Sequence, residues 1–150
     1  MLLNVFSMYN KVGNLPQGIL TNHINVWRNV MATKLLIIDD NTSITDMLEL
    51  ILPAEGFDVT TVNSGPDGIE AVQQLNPDVV VLDLMMPGVD GWQVCREIRA
   101  FSQVPILVLS AVVDNEQVNR AMDEGANSYL VKPARLDELV AQMRRLVSSK

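Results

Sequence analysis

Residues 34–40 read KLLIIDD and residues 78–83 read DVVVLD, and these two stretches decide the fold. Each is a continuous apolar run that ends in carboxylates, and a third apolar run, Ile106 to Leu109, follows later in the chain. Such runs between polar residues are typical of strands that are buried on both faces of a parallel sheet. We therefore expect three central strands at these positions.

Two further strands and five helices are predicted around this centre. Phe57 to Val62 alternates apolar with polar residues, which indicates an edge strand with one face toward solvent, and Ser128 to Val131 is the last strand. Apolar residues at helical spacing predict helices between the strands. The predicted helices are Ile44–Leu52, Pro66–Leu75, Gly91–Phe101, Asn115–Glu124 and Leu136–Val147.

Strict alternation of strands and helices with short connections predicts the fold class α/β. A crossover between parallel strands needs a returning helix and is right-handed, so the expected architecture is a doubly wound five-stranded parallel sheet flanked by five helices. The strand order 2-1-3-4-5 leaves the polar second strand at an edge. Ligands in such sheets bind beyond the carboxyl ends of the strands, where the strand order reverses.

Composition divides the chain into two parts. The whole chain has 150 residues and is 48% hydrophobic, which fits one globular domain. Residues 1–33 differ, with six asparagines and no acidic residue among the first 30. We expect residues 34–150 to form the domain and residues 1–33 to be an appendage, either disordered or a start-site artefact ahead of a natural start at Met31. A short partner-binding arm is the alternative for residues 1–33.

Charge and cysteine content exclude several functions. Of the 11 basic residues only Lys11 and Arg28 precede Met31, so residues 31–150 carry nine basic groups against 18 acidic ones. This excess of negative charge disfavours direct nucleic-acid binding. The single cysteine, Cys95, excludes an intramolecular disulfide and has the spacing of a buried helical residue. No signal peptide or membrane span is evident, so we expect a cytoplasmic location and no membrane partner.

Four of the five predicted strands end in groups that suit a single reaction. Those residues are Asp39, Asp40, Asp83, Ser110 and Lys132. Three carboxylates at one edge repel each other unless a cation is present, and Mg²⁺ prefers such oxygen ligands. A carboxylate nucleophile, a lysine and a hydroxyl also fit phosphoryl transfer. Each residue alone is equally typical of a turn, a helix cap or a solvated side chain, and their coincidence is what favours a site.

The chain resembles the receiver domains of bacterial two-component response regulators. The segments Leu35 to Asp40, Asp78 to Gly91, Val104 to Ala111 and Gly125 to Pro133 look like the four signature blocks of that family, and the likeness covers residues 34–147. Order, spacing and strand context all agree. The resemblance implies the flavodoxin-like receiver fold. Because the chain ends soon after the last helix, we expect a stand-alone receiver with no output domain.

The resemblance also implies a phosphoacceptor and a metal site. Asp83 would accept a phosphoryl group from a phosphohistidine on a partner protein. Asp39 and Asp40 would hold Mg²⁺, Asp40 the more directly, together with Asp83 and the backbone carbonyl of Met85. Because neither Met85 nor Val112 could orient a hydrolytic water, we expect slow self-dephosphorylation.

The remaining implied roles concern the last two strands. Lys132 would contact the phosphoryl oxygens, and the peptide bond before Pro133 would be cis. Ser110 would move toward the phosphoryl group, and Tyr129 would rotate inward as the aromatic switch. The competing interpretation of Tyr129 is a ring that simply packs at a strand end.

The function implied is that of a phosphoacceptor response regulator in two-component signalling or a phosphorelay. A sensor histidine kinase or histidine phosphotransfer protein would donate the phosphoryl group, and an unknown effector protein would read the result. The protein would not be an enzyme, although it would assist its own phosphorylation and dephosphorylation, and it would be a monomer or a phosphorylation-linked dimer. The main alternative is a phosphorylation-independent binding module with the same fold. A phosphatase and a DNA-binding regulator are less well supported.

Overall fold

A five-stranded parallel sheet forms the centre of the structure, a computed structural model that describes residues 32–149. Its strands are β1 (Thr33–Ile38), β2 (Phe57–Val62), β3 (Val79–Leu82), β6 (Ile106–Ser110) and β7 (Ser128–Val131), and a short antiparallel ribbon consists of β4 (Met85–Met86) and β5 (Val89–Asp90). The sheet order is β2-β1-β3-β6-β7. Because the ribbon takes the numbers 4 and 5, this is the predicted order 2-1-3-4-5, which is confirmed.

Five helices connect the strands, as predicted. They are α1 (Thr42–Ile51), α2 (Gly65–Leu75), α3 (Gly91–Arg99), α4 (Asn115–Asp123) and α5 (Leu136–Ser148), and a 3₁₀ turn, Leu52–Glu55, extends α1. The third helix ends at Arg99 rather than at the predicted Phe101, because the amides of residues 101 and 102 both turn to the Ile98 carbonyl. No helix in the described residues is long and apolar enough to cross a bilayer.

The sheet is covered on both faces, which explains its continuous apolar strands. Successive side chains of a strand point to opposite faces, so neighbouring residues of β1 belong to different cores. Leu36 and Ile38 pack with residues of α2, α3 and α4, whereas Leu35 and Ile37 pack with residues of α1 and α5. Cys95 is fully buried on the first of these faces, as its spacing predicted.

The expected appendage lies almost wholly outside the described residues. Only Ala32 and Thr33 of it are described, and Thr33 already belongs to β1, where its amide donates to the Gly56 carbonyl at 3.1 Å.

Candidate functional site at the carboxyl edge of the sheet

Three carboxylates converge beyond the ends of β1 and β3. These strands are parallel neighbours with Ile38 opposite Leu82, so the residues that follow them lie side by side. The Asp83 amide donates to the Ile38 carbonyl at 2.9 Å and closes this end of the pair. Asp39, Asp40 and Asp83 each offer a carboxylate oxygen, and these oxygens lie within 4.8 Å of one another. The sequence prediction that these side chains meet is therefore fulfilled in the fold.

Lys132, the residue after β7, places an ammonium group between two of these carboxylates. Its Nζ donates to Asp39 Oδ2 at 2.6 Å and to Asp83 Oδ2 at 3.2 Å. Burial alone would lower the pKa of Lys132, but the hydrogen bond to Asp39 and the negative charges of Asp83 and Asp39 raise it above its ordinary value. The amine is therefore charged at neutral pH. The Lys132–Pro133 peptide bond is cis.

The two members of the acidic pair have different surroundings. Asp39 is 3% exposed and engaged at every polar atom: its amide donates to the Val62 carbonyl, and its own carbonyl accepts from Asn63 Nδ2 at 2.8 Å. Its Oδ1 accepts from the Asn41 amide at 2.9 Å, and its Oδ2 holds the ammonium group just described. Asp40 is more exposed, and its carboxylate has no hydrogen bond or ion pair with any described residue. The Asp40 carboxylate is thus the one that is free to take a ligand.

Asp83 is held from the other side by the ribbon that follows it. It is 6% exposed, and its Oδ1 accepts from the Met85 amide at 3.2 Å. The next helix, α3, starts so close to this segment that a Cβ at Gly91 would collide with the Leu84 backbone. Met85 itself is 58% exposed, beside the acidic cluster. The role of its backbone carbonyl as a metal ligand stays a prediction.

Ser110 is the last residue of β6, and Tyr129 lies within the neighbouring β7, opposite Val108. The Ser110 hydroxyl is fully buried and has no hydrogen bond of ordinary geometry among the described residues. The partly buried Tyr129 ring packs against the core on the α2, α3 and α4 side, and its hydroxyl donates to the Val112 carbonyl at 2.9 Å. Burial raises the pKa of Tyr129, the nearby Ser110 hydroxyl lowers it and the charge of Asp83 raises it, with a net rise. The switch role of Tyr129 stays a prediction.

The donor set fits a hard divalent cation. The cluster consists of carboxylates alone, without histidine or cysteine, and such oxygen ligands suit Mg²⁺ rather than zinc. The unpaired Ser110 hydroxyl is a polar group that a bound ligand could satisfy, since buried polar atoms normally have a partner. The arrangement combines a buried carboxylate, a fixed positive charge and a free carboxylate, which is suited to phosphoryl chemistry.

Sequence reasoning missed three residues that organise this edge. Asn41 caps α1 by accepting from the amides of Ser43 and Ile44, and Asn63 binds both the Asp39 carbonyl and the hydroxyl of the buried Thr45. A signal for Asn63 was available, because it directly follows β2 and so lies at the same edge as the other strand-end residues. Asn63 carries no charge, so it is not part of the pattern of charged strand-end residues.

Comparisons with known proteins agree with this geometry. A sequence model of the response regulator receiver domain matches residues 35–144. The DNA-binding response regulator MtrA of Mycobacterium tuberculosis is 42% identical over 116 residues, which are 77% of this chain and 51% of that protein. The chain thus spans about half the length of the curated relatives it matches.

Solved structures are similar over the same region. A putative response regulator from Chloroflexus aurantiacus has 32% identity and a TM-score of 0.73, covering 78% of this chain and 98% of that one. The chemotaxis protein CheY4 of Vibrio cholerae has 30% identity and a TM-score of 0.72, covering 77% and 98%. These matches cover nearly the whole of each solved domain and confirm the predicted receiver fold. The chain belongs to the response regulator receiver domain family.

Proposed function

We propose that this domain is a phosphorylation switch whose acceptor is Asp83. The observation that carries the proposal is the placement of a buried Asp83 carboxylate 3.2 Å from the Lys132 ammonium, with oxygens of Asp39 and Asp40 within 4.8 Å. A structural carboxylate would need one partner, whereas this edge gathers three carboxylates around one lysine. The excess of negative charge makes the edge a site for a cation and a phosphoryl group.

The reaction is a phosphoryl transfer between proteins. A carboxylate oxygen of Asp83 attacks the phosphorus of a phosphohistidine, an O–P bond forms, the P–N bond breaks and the imidazole leaves. Lys132 neutralises charge on the phosphoryl oxygens, and the unpaired Ser110 hydroxyl is available to donate to one of them. The donor is a sensor histidine kinase or a histidine phosphotransfer protein. The domain is therefore a signalling module that assists its own modification, rather than an enzyme that turns over a substrate.

Mg²⁺ is the cofactor that this donor set supports. Asp40, with its free carboxylate, would be a direct ligand, and Asp39, Asp83 and the Met85 carbonyl would complete the protein's share. When bound, the ion supplies neutralisation of the charge that three carboxylates and a phosphoryl group bring together.

The output is carried by a surface that responds to the state of Asp83. Tyr129 and Ser110 are the proposed link between Asp83 and that surface, because the Tyr129 hydroxyl donates a hydrogen bond to the Val112 carbonyl in the loop after β6. MtrA is named as a DNA-binding regulator and CheY4 as a chemotaxis protein, and the chain spans only half of MtrA. We therefore propose an effector protein, rather than DNA, as the direct partner of this acidic domain alone. Its buried cysteine fits a cytoplasmic location.

The experiment is intact-mass analysis after treatment with a small-molecule phosphodonor, with and without Mg²⁺. We expect wild type to gain one phosphoryl group in a Mg²⁺-dependent, base-labile form, and Asp83→Asn to gain none. Asp46→Asn, an exposed change on α1, is the matched control and should behave as wild type. A folded wild type that gains nothing would favour the phosphorylation-independent binding module instead.

A further inference from the structure

Asn63 reaches from the end of β2 to the turn that carries the acidic pair. Its Nδ2 donates to the backbone carbonyl of Asp39 at 2.8 Å and to the Thr45 hydroxyl at 3.2 Å. Thr45 lies on α1, is 1% exposed and donates its own hydroxyl proton to the Thr42 carbonyl at 3.1 Å. One side-chain amide therefore ties three segments together: the end of β2, the turn after β1 and the first turn of α1.

The position of this bond gives it a consequence for Asp40. The carbonyl that Asn63 holds belongs to the peptide group between Asp39 and Asp40, and the orientation of that peptide decides where the Asp40 side chain points. The other restraints on Asp39 act on its amide, through Val62, and on its carboxylate. Because the Asp40 carboxylate has no partner among the described residues, the backbone is what aims it.

We propose that Asn63 is a positioning residue for the metal site, acting through the Asp39–Asp40 peptide rather than as a ligand. By fixing that peptide, Asn63 keeps the Asp40 carboxylate directed toward Asp83 and raises the affinity of the cluster for Mg²⁺. The inference rests on the proposed function, because it takes Mg²⁺ as the ligand of the cluster. Groups that orient metal ligands commonly contribute tenfold or more to affinity, about 10–100-fold when removed.

The test is a titration of the unphosphorylated full chain with Mg²⁺ alone. The Mg²⁺ Kd is obtained from the NMR shifts of the backbone amides of Asp40 and Asp83. We expect Asn63→Ala to raise the Mg²⁺ Kd about tenfold. At saturating Mg²⁺ the rate of phosphorylation by a small-molecule donor should stay within about twofold of wild type, because only binding has been weakened. Asn119→Ala removes an exposed asparagine on α4 without a side-chain hydrogen bond among the described residues, and it should change neither quantity.

A second variant separates the orientation of the Asp40 carboxylate from a general effect on the stability of α1. Thr45→Val deletes the other acceptor of the Asn63 amide while leaving its bond to the Asp39 carbonyl, so its Kd should stay within about twofold of wild type. A loss of Mg²⁺ affinity in Thr45→Val as large as that in Asn63→Ala would overturn the proposal, because the effect would then come from α1.

Two other results would also overturn it. One is an unchanged Kd in a folded Asn63→Ala, and the other is an equal loss of phosphorylation rate at saturating Mg²⁺, which would indicate wider distortion. Asn63 is exposed, so truncation leaves no cavity; Asn63→Ser, which also lacks the amide, serves if the alanine variant does not fold. A wild type whose Asp40 and Asp83 amides do not respond to Mg²⁺ would instead refute the proposed function.

Discussion

Replacing Asp83 by asparagine should make the domain more stable when no divalent cation is present. The change is nearly isosteric, and the asparagine Oδ1 can still accept from the Met85 amide. The ammonium of Lys132 keeps its shorter bond, to Asp39 at 2.6 Å, so no buried cation loses its only partner. What the substitution removes is one negative charge from a cluster that has three carboxylates and one lysine.

The distances within the cluster determine the sign of the change in the free energy of unfolding. At 3.2 Å and an effective dielectric constant of about 20, the Asp83–Lys132 attraction is about 5 kcal/mol. Each repulsion of Asp83 by Asp39 and by Asp40, at no more than 4.8 Å between oxygens, is at least about 3.5 kcal/mol on the same scale. The two repulsions together exceed the attraction by about 2 kcal/mol, and screening at the more exposed Asp40 reduces this excess. Relief of carboxylate burial acts in the same direction as the excess, so we expect a gain of about 1–2 kcal/mol.

The assay is urea unfolding followed by circular dichroism, in a chelator and again in saturating Mg²⁺. In the chelator Asp83→Asn should exceed wild type by that amount, which corresponds to a few degrees, about 4 °C per kcal/mol, in Tm. Mg²⁺ should stabilise wild type more than the variant, since it binds the folded state through a carboxylate that the variant lacks. Asp46→Asn, exposed on α1, should lie within about 0.5 kcal/mol of wild type in both conditions. A less stable Asp83→Asn in the chelator would refute the reasoning, because the lysine attraction would then dominate the site.

Three further predictions concern other residues. Arg99 donates four hydrogen bonds to three backbone carbonyls and one side-chain amide oxygen, so Arg99→Ala should cost about 3 kcal/mol in urea unfolding, and a loss under about 1 kcal/mol would contradict this. Burial, opposed by the charge of Arg99 and assisted by that of Glu124, raises the pKa of Cys95 to about 11. Cys95 is also fully buried, so its low thiolate fraction at pH 8 and its lack of exposure together should make alkylation of the native protein at least about 100-fold slower than in urea, and comparable rates would contradict this. The phosphorylated, Mg²⁺-loaded domain should lose its phosphoryl group slowly, because Met85 and Val112 offer a hydrolytic water no side-chain hydrogen bond; a lifetime of seconds would show that water is oriented by another group.

The sheet could be predicted because its patterns are local. The segments Phe57–Val62, Val79–Leu82 and Ser128–Val131 begin and end where the sequence placed them, since apolar runs and alternation report burial directly. The ribbon of β4 and β5 was missed because two residues a side are too few for any period. It depends instead on Gly88, which turns the chain with a φ of +71° that favours glycine.

The candidate site was predictable in its members but not in its connections. Parallel strands bring their carboxyl ends to one edge, so Asp39, Asp83 and Lys132 could be placed together from the order of the strands alone. The bond from Asn63 to the Asp39 carbonyl joins residues 24 apart in the chain and depends on the β1–β2 register and on a side-chain rotamer. Neither the register nor the rotamer can be predicted from a local sequence pattern.

Adjacent aspartates look equivalent in a sequence, and the structure gives them opposite tasks. Asp39 spends its carboxylate on the Lys132 ammonium and on the Asn41 amide, and it is buried where an uncompensated charge would be costly. Asp40 spends its carboxylate on nothing in the described part of the chain, while its backbone is held through Asn63. The engaged Asp39 fixes Lys132 beside Asp83, and the free Asp40 carboxylate is the one that the proposed function assigns as the direct Mg²⁺ ligand. Because the two are neighbours in the chain, the peptide that holds the first also directs the second, and the charged groups of the site are aligned by a neutral one.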